Sequence, residues 1–334
     1  MLPSPDERLV RGKPVYIIGE IACGHQGSVN NALALVDAVA EAGADAAQLQ
    51  IFQPAANMAP SAPSYAILEK LWFDEAQWTR LAERVRAHGL ALAVFVYDEP
   101  SLDIALRLCP DLLKLNSSEL ANPPLIRAVA RTGLPFTLGT GASTLDEVTA
   151  ALAWIKEEGA ADRAVLMHGV QNFPTELALA NIARIGLLRA LFDRPVIYAD
   201  HTDAASPSAI AIDLVALGVG AAMLEKHVAL DRAAARKGGG VDWEAALEPG
   251  EFKRYVALMR DGWRAIGCSR PAPLAAHERH YRKFQKNPRW PRGIYRRAPY
   301  CQPRILCSCA CKTTSPACHR LRRKDISAGL SVRM

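Results

Sequence analysis

Charged and hydrogen-bonding side chains stand at or just after the end of each of eight short apolar runs in the chain. In chain order they are Glu20, Gln50, Asp98, Lys114 with Ser117 and Glu119, Thr140, His168 with Gln171, His201 and His227. Carboxylates, imidazoles and amines are the groups that move protons and bind charged substrates. One such residue is most simply a solvated loop residue or a satisfied core group, but eight in equivalent positions indicate a functional surface.

The eight runs that these residues follow are rich in Val, Ile and Leu, and helical segments separate them. The runs are Val15–Ala22, Ala46–Phe52, Leu90–Val96, Leu112–Leu115, Phe136–Thr140, Ala164–Gly169, Val196–Asp200 and Ala222–Val228. Continuous apolar strands linked by helices predict a parallel sheet that is buried on both faces. Eight such units in about 250 residues are typical of a (β/α)8 TIM barrel.

A doubly wound open sheet is the alternative fold. That fold usually has a glycine-rich phosphate turn after its first strand, and residues 23–27 here read Cys-Gly-His-Gln-Gly, which is not such a turn. In a barrel the carboxyl ends of all eight strands meet at one rim, where barrel enzymes carry their catalytic groups. Because a buried charge such as Lys114 is costly unless it is paired, the number of charges at these strand ends indicates an active site.

Several motifs occur in the order seen in the sialic acid synthase family, between about Val15 and Glu248. They are Gly19 to Gly27 (GEIACGHQG), Lys114 to Leu120 (KLNSSEL), Gly139 to Ser143 (GTGAS), Asn172 to Thr175 (NFPT), Asp200 to Thr202 (DHT), Glu225 to His227 (EKH) and Gly240 to Asp242 (GVD). The chain therefore resembles a divergent member of that family. The resemblance implies a TIM barrel over residues 1–270, a linker over residues 271–287, and a remnant of a small antifreeze-like SAF domain over residues 288–334.

The resemblance also implies a reaction. Members of the family condense phosphoenolpyruvate with an amino-sugar aldehyde such as N-acetylmannosamine, giving a nonulosonic (sialic-type) acid and phosphate. By resemblance, His201 and His227 would bind a divalent metal, Mn²⁺ with Mg²⁺ as the alternative, which polarises the aldehyde. Glu20 would lie beside the reacting carbons, and we expect its carboxylate and the two imidazoles to converge on the same ion.

The resemblance assigns roles to further residues at the same rim. Glu119 joins Glu20 as a catalytic carboxylate and could also accept hydrogen bonds from sugar hydroxyls. Lys114 and Ser117 would hold the phosphate. The remaining residues expected to bind substrate are Gln50, Thr140, Gln171, Phe173 and Asp242.

Some positions depart from the pattern of the family at the expected phosphoenolpyruvate site. Gln48 replaces a lysine, Gly139 and Ala199 replace serines, and Phe95 stands where threonine is common. A charged hydrogen bond is worth roughly 1.5 to 3 kcal/mol, so the lost lysine matters. Three interpretations follow: a phosphoenolpyruvate enzyme with a rearranged clamp, a metal-dependent aldolase-like enzyme with another donor, or a catalytically inactive sugar-binding homologue.

The C-terminal segment differs in composition from the rest of the chain. Residues 281–334 hold 14 Lys or Arg and one acid, Asp325, so this segment carries +13 and the preceding residues carry +6 − 13 = −7. It also holds five of the eight cysteines, without the spacing of common zinc sites. We hypothesise that paired frameshifts replaced residues 288–318, which we expect to be disordered; an intact reading frame in the resequenced gene would contradict this.

Composition and charge also limit the partners. The acidic body carries no nucleic-acid recognition motif, so we expect small-molecule substrates rather than nucleic acid. No apolar run approaches the roughly 20 residues of a membrane span, and the N-terminal residues lack the apolar core of a signal peptide. We therefore expect a cytoplasmic enzyme without membrane partners, and the resemblance implies a homodimer.

Overall fold

Eight parallel strands form a closed barrel in chain order in a computed structural model that describes residues 14–267 and 274–284. The strands are β1 (Tyr16–Glu20), β2 (Ala46–Ile51), β3 (Ala91–Val96), β4 (Leu112–Leu115), β5 (Phe136–Gly139), β6 (Ala164–His168), β7 (Val196–Asp200) and β8 (Met223–His227). Each strand lies within one of the eight apolar runs, so the predicted TIM barrel is confirmed. Each strand ends within two residues of the end of its predicted run.

Helices alternate with these strands. They are α1 (Val29–Glu41), α2 (Pro54–Asn57), α3 (Tyr65–Leu71), α4 (Glu75–Ala87), α5 (Glu99–Arg107), α6 (Pro123–Arg131), α7 (Leu145–Glu157), α8 (Ala183–Phe192), α9 (Ser208–Val219), α10 (Arg232–Lys237), α11 (Pro249–Ile266) and α12 (Ala276–Phe284). Capping side chains fix where several helices begin: Ser28 accepts from the backbone of α1, and Thr144 forms a capping box with Glu147 at α7.

The apolar core has two parts, because each strand is buried on both faces. The larger part lies between the sheet and the helices and includes Ile17, Val94 and Leu224. Smaller clusters fill the inside of the barrel; Met167 and Ile197 belong to one of them. Side chains therefore occupy the interior below the rim, and a cavity opens where the strands end at their carboxyl side.

Close packing of the first strand on the first helix leaves no room for a side chain at Gly19. A Cβ atom there would lie 2.5 Å from Cγ2 of Val39 on α1. The absence of a side chain at Gly19 thus sets how closely β1, and with it Glu20, approaches the helical layer.

Beyond the barrel, the chain divides into a second unit that begins at residue 272. Of this unit the structure describes residues 274–284, where helix α12 lies in the segment that the sequence assigns to a linker. The proposed SAF remnant, the frameshift hypothesis and the C-terminal cysteines fall outside the described residues. In the described ranges, none of the helices combines the length and apolarity that a bilayer crossing requires.

Candidate active site

A cavity of about 130 Å³ opens at the rim where the carboxyl ends of the strands meet. Its walls combine polar groups with aromatic and small apolar residues. The lining residues are Gln50, Phe95, Tyr97, Lys114, Asn116, Ser117, Gly139, Met167, Gly169, Gln171, Phe173, Ala199, His201, His227 and Asp242. The sequence predicted eight of these as site residues, from five different strands or the loops that follow them.

The two predicted metal ligands, His201 and His227, lie side by side in this cavity. Their ring centroids are 5.3 Å apart, and the rings are nearly perpendicular. The Nδ1 atom of His201 lies 2.6 Å from the carbonyl oxygen of Val170, so this nitrogen donates to the backbone and leaves Nε2 as the free acceptor. The ring of Phe173 packs 4.2 Å from that of His201 and helps to fix its orientation.

Burial keeps both imidazoles neutral. It lowers the pKa of His201, and it lowers the pKa of His227 well below the ordinary value, with His201 adding to the effect. A neutral imidazole with a free ring nitrogen is the form that binds a divalent metal. The residues therefore fit a metal held by two protein ligands, with further positions left for substrate and water.

The expectation that Glu20 shares this ion is not supported. In residues 14–267 and 274–284, no three His, Cys, Asp or Glu side chains are arranged to hold an ion. Glu20 is on the predicted strand and in register with His227, but its carboxylate makes other contacts. Its Oε1 atom accepts from the backbone of Ala22 at 2.8 Å, and Oε2 accepts from Lys114 and Gln48.

Lys114, which lines the cavity, belongs to a buried cluster of four polar side chains whose other members, Glu20, Gln48 and Glu225, are 0% exposed. Lys114 lies 2.6 Å from Oε1 of Glu225 and 3.4 Å from Oε2 of Glu20. The amide nitrogen of Gln48 donates to both carboxylates, at 3.0 Å in the case of Glu225, whereas its Oε1 atom has no hydrogen-bond partner. One lysine therefore serves two carboxylates, and the neutral Gln48 stands where a second lysine is expected.

This shortage of positive charge changes the pKa values of Glu20 and Lys114. Burial raises the pKa of Glu20 from 4.5 to about 8, because the nearby Lys114 offsets only part of the cost and Glu225 adds to it. Burial lowers the pKa of Lys114, but its two carboxylate partners outweigh burial, so the net pKa is raised. Burial and the neighbouring Glu225 therefore favour proton uptake by Glu20, whereas the two carboxylates keep Lys114 charged.

Other predicted substrate residues surround the histidines. Gln50, Gln171, Phe173 and Asp242 line the cavity together with Ser117, whose hydroxyl oxygen accepts from the backbone nitrogen of Gly141 at 3.0 Å. These residues come from loops and strand ends that are far apart in the sequence. Their convergence is the arrangement that a polar, multi-hydroxyl substrate requires.

Two predicted residues lie elsewhere. Thr140 faces a separate depression beside α7, and its hydroxyl donates to the carbonyl of Met167 at 2.9 Å. Glu119 is outside the cavity lining, and its carboxylate accepts from Ser118 and Asn122. Both sit after the correct strands, but local turns direct their polar groups toward the backbone or toward neighbouring side chains.

The sequence prediction missed several residues of the site. Tyr97 and Met167 line the cavity, and Glu225 is the main partner of Lys114. A signal existed for Glu225, because adjacent charges at 225 and 226 inside an apolar strand require partners. The apolar side chains carried no such signal, since they resemble any core residue.

The substitutions at the expected anion site remove polar groups from the cavity lining. Gly139, Ala199 and Phe95 all line the cavity, so the hydroxyl groups expected there are absent. A Cβ atom at Gly139 would lie 2.7 Å from the backbone nitrogen of Ser117. In this chain Ser117 thus occupies the space that a serine at 139 would need.

The NeuB family matches residues 35–270 of the chain, which is more than half of its length. The chain belongs to the NeuB family. It is 30% identical over 275 residues to N,N'-diacetyllegionaminic acid synthase of Legionella pneumophila, covering 77% of this chain and 75% of that protein. It is 31% identical to the spore coat polysaccharide biosynthesis protein SpsE of Bacillus subtilis over 259 residues, covering 74% and 67%.

A solved relative has the same fold. The N-acetylneuraminic acid synthetase of Leptospira borgpetersenii superposes with a TM-score of 0.74 at 27% identity, over 82% of this chain and 93% of that one. These comparisons confirm the family and identify the chain as an N-acetylneuraminate synthase-like enzyme. Its relatives in the family are named as synthases of several nonulosonic acids.

Proposed function

We propose that this protein joins phosphoenolpyruvate to the open-chain aldehyde of an N-acetylated amino sugar, releasing phosphate and a nonulosonic acid. The enol carbon would attack the aldehyde carbon, water would add to the resulting cation, and the carbon–oxygen bond to phosphate would then break. The observation that carries the proposal is the pair of neutral imidazoles, His201 and His227, beside the Lys114 cluster at one rim of the barrel.

The two histidines would hold Mn²⁺, with Mg²⁺ as the alternative. When bound, the ion would act as a Lewis acid on the aldehyde oxygen. Glu20, whose pKa burial raises to about 8, would supply a proton as negative charge develops on that oxygen. Lys114 and Ser117 would hold the phosphate, while Gln50 and Asp242 would bind sugar hydroxyls and Phe173 would cover the sugar.

Phosphate release tests this proposal. Manganese-loaded protein would be incubated with phosphoenolpyruvate and a panel of 2-acetamido sugars, and phosphate and the keto-acid product would be measured. We expect release that depends on one of the sugars and is lost in His227→Ala. His88→Ala is the matched control, because His88 is an exposed histidine paired with Asp37 away from the rim.

A metal-dependent aldolase-like reaction with another donor is the second candidate. The observation in its favour is that Gly139, Ala199 and Phe95 leave the cavity lining without the expected hydroxyl groups, together with a lysine that is already paired with two carboxylates. The same assay separates the two functions when pyruvate replaces phosphoenolpyruvate. Product from pyruvate, without phosphate release from phosphoenolpyruvate, would reverse the assignment.

A further inference from the structure

A second buried cluster of polar side chains lies behind the two histidines, between the sheet and the helices. Its members are Lys226 on β8, Asp200 and Tyr198 on β7, Thr202 just after β7, Asp213 on α9 and Tyr255 on α11. Four of them, Lys226, Asp200, Asp213 and Tyr255, are 0% exposed. The proposed reaction uses none of this set, which is called the Lys226 cluster below.

Lys226 links the two strands that carry the histidines. Its ammonium group donates to Oδ2 of Asp200, to the carbonyl of Ala209 at 2.7 Å and to Oδ2 of Asp213 at 3.2 Å. In the sheet, Lys226 is in direct register with Asp200. Because successive residues of a strand face opposite sides, the residue after each of them, His227 or His201, faces the cavity.

Asp200 fixes the backbone on both sides of His201. Its Oδ1 atom accepts from the backbone nitrogen of Thr202 at 3.1 Å and from the hydroxyl of Tyr198 at 2.9 Å, and its Oδ2 atom accepts from the Thr202 hydroxyl at 2.8 Å. The carbonyl of His201 accepts from the backbone of Thr175 at 2.7 Å. The chain around this histidine is therefore held at several points by groups that water cannot reach.

We propose that Lys226 and Asp200 are positioning residues that set the spacing of His201 and His227, so that the link between them determines how tightly the site binds a divalent metal. The inference rests on the proposed metal-dependent function. Residues that hold a metal ligand in place without binding the metal themselves orient that ligand. Changing such residues typically lowers metal affinity by about 10–100-fold.

The same cluster supplies a control. Asp213 and Tyr255 belong to the helical side, where the Tyr255 hydroxyl donates to Oδ1 of Asp213 at 3.0 Å. Tyr255→Phe removes a buried hydroxyl at the same depth and leaves the hydrogen bonds of Lys226 and Asp200 in place, so it is the control; Asp213→Asn also removes a charge that Lys226 contacts at 3.2 Å. A purely structural role predicts that all changes in the cluster act alike, through stability.

The test measures Mn²⁺ affinity by isothermal titration with MnCl₂, together with the unfolding temperature of each variant. Titrations are made well below the unfolding temperature of the variant. We expect Lys226→Met and Asp200→Asn to weaken Mn²⁺ binding about tenfold or more. The Tyr255→Phe control should bind within about twofold of the original protein, even where its unfolding temperature falls.

Should Lys226→Met not fold, Asp200→Asn carries the test, since asparagine keeps an acceptor for the Thr202 nitrogen and loses the charge that faces Lys226. Unchanged affinity in a folded Asp200→Asn or Lys226→Met variant would overturn the inference and leave the proposed function standing. Equal weakening in Tyr255→Phe would also overturn it. Failure of the original protein to bind Mn²⁺, or binding unaffected by His201→Ala, would overturn the proposed function itself.

Discussion

Replacing Gln48 by lysine should restore the missing positive charge in the buried cluster around Lys114. The Gln48 amide already lies against Glu20 and Glu225, and Lys114 is the only described cation that contacts these two carboxylates. A second ammonium group there would neutralise one carboxylate and leave Lys114 freer to contact an anionic donor. We therefore expect Gln48→Lys to bind phosphoenolpyruvate more tightly.

The size of this effect follows from the charged hydrogen bond that Lys114 would gain to phosphoenolpyruvate. A hydrogen bond to a charged group contributes roughly 1.5 to 3 kcal/mol, and about 1.4 kcal/mol corresponds to a factor of ten. The KM for phosphoenolpyruvate should therefore fall by about one to two powers of ten. Gln48→Met is the matched control: it has a similar size and no charge, and we expect it to give no improvement.

A second readout follows from the pKa of Glu20. Because burial raises this pKa from 4.5 to about 8, the folded protein holds a proton that the unfolded chain has lost between these pH values. Stability from this group is fully present below about pH 4.5 and is lost as the pH rises through about 8. Since a new cation lowers the pKa of Glu20, this loss should shrink in Gln48→Lys.

The assays are initial rates at varied phosphoenolpyruvate and urea unfolding at pH 5 and pH 8. An unchanged KM in a stably folded Gln48→Lys protein would refute the reasoning, and so would an equal fall in KM in Gln48→Met. A pH dependence of unfolding identical to that of the original protein would show that the charge at residue 48 does not change the pKa of Glu20.

Three further predictions concern stability in urea unfolding. Lys114→Met leaves Glu225 buried without its cation and should cost about 3–5 kcal/mol, whereas the exposed Lys156→Met should cost under about 0.5 kcal/mol; equal costs would contradict the pairing. Gly139→Ser should cost about 1–3 kcal/mol through its clash with the Ser117 backbone, and Gly250→Ser, where a Cβ meets nothing within 4 Å, should cost less. Burial lowers the pKa of His25 to about 4, so stability should fall as the pH falls from 6.5 through 4, and a slope unchanged in His25→Gln would disprove this.

The barrel could be predicted from the sequence because both faces of a parallel strand are buried. The run around Val94, residues 90–96, is therefore apolar throughout, and this signal is local. The rim could also be predicted, since the carboxyl ends of all eight strands must meet. That rule placed His201 and His227, 26 residues apart in the chain, at the same rim, and the resemblance to the family paired them as metal ligands.

The pairing of charges could not be predicted, because it depends on how the strands align across the barrel. Glu225 and Lys114 come from β8 and β4, and no local pattern connects them. Thr140 and Glu119 show the second limit: each follows the expected strand, yet a turn directs its side chain to a local partner. Sequence spacing identifies the rim residues, but the backbone of the turn decides which of them face the cavity.

The most direct test of the metal site is a crystal grown with MnCl₂ and measured at the manganese absorption edge. The account predicts one anomalous peak in the cavity, within coordination distance of Nε2 of His201 and of a ring nitrogen of His227, and no peak there in His201→Ala. A peak bound by other residues, or none between the two rings at saturating MnCl₂, would contradict it.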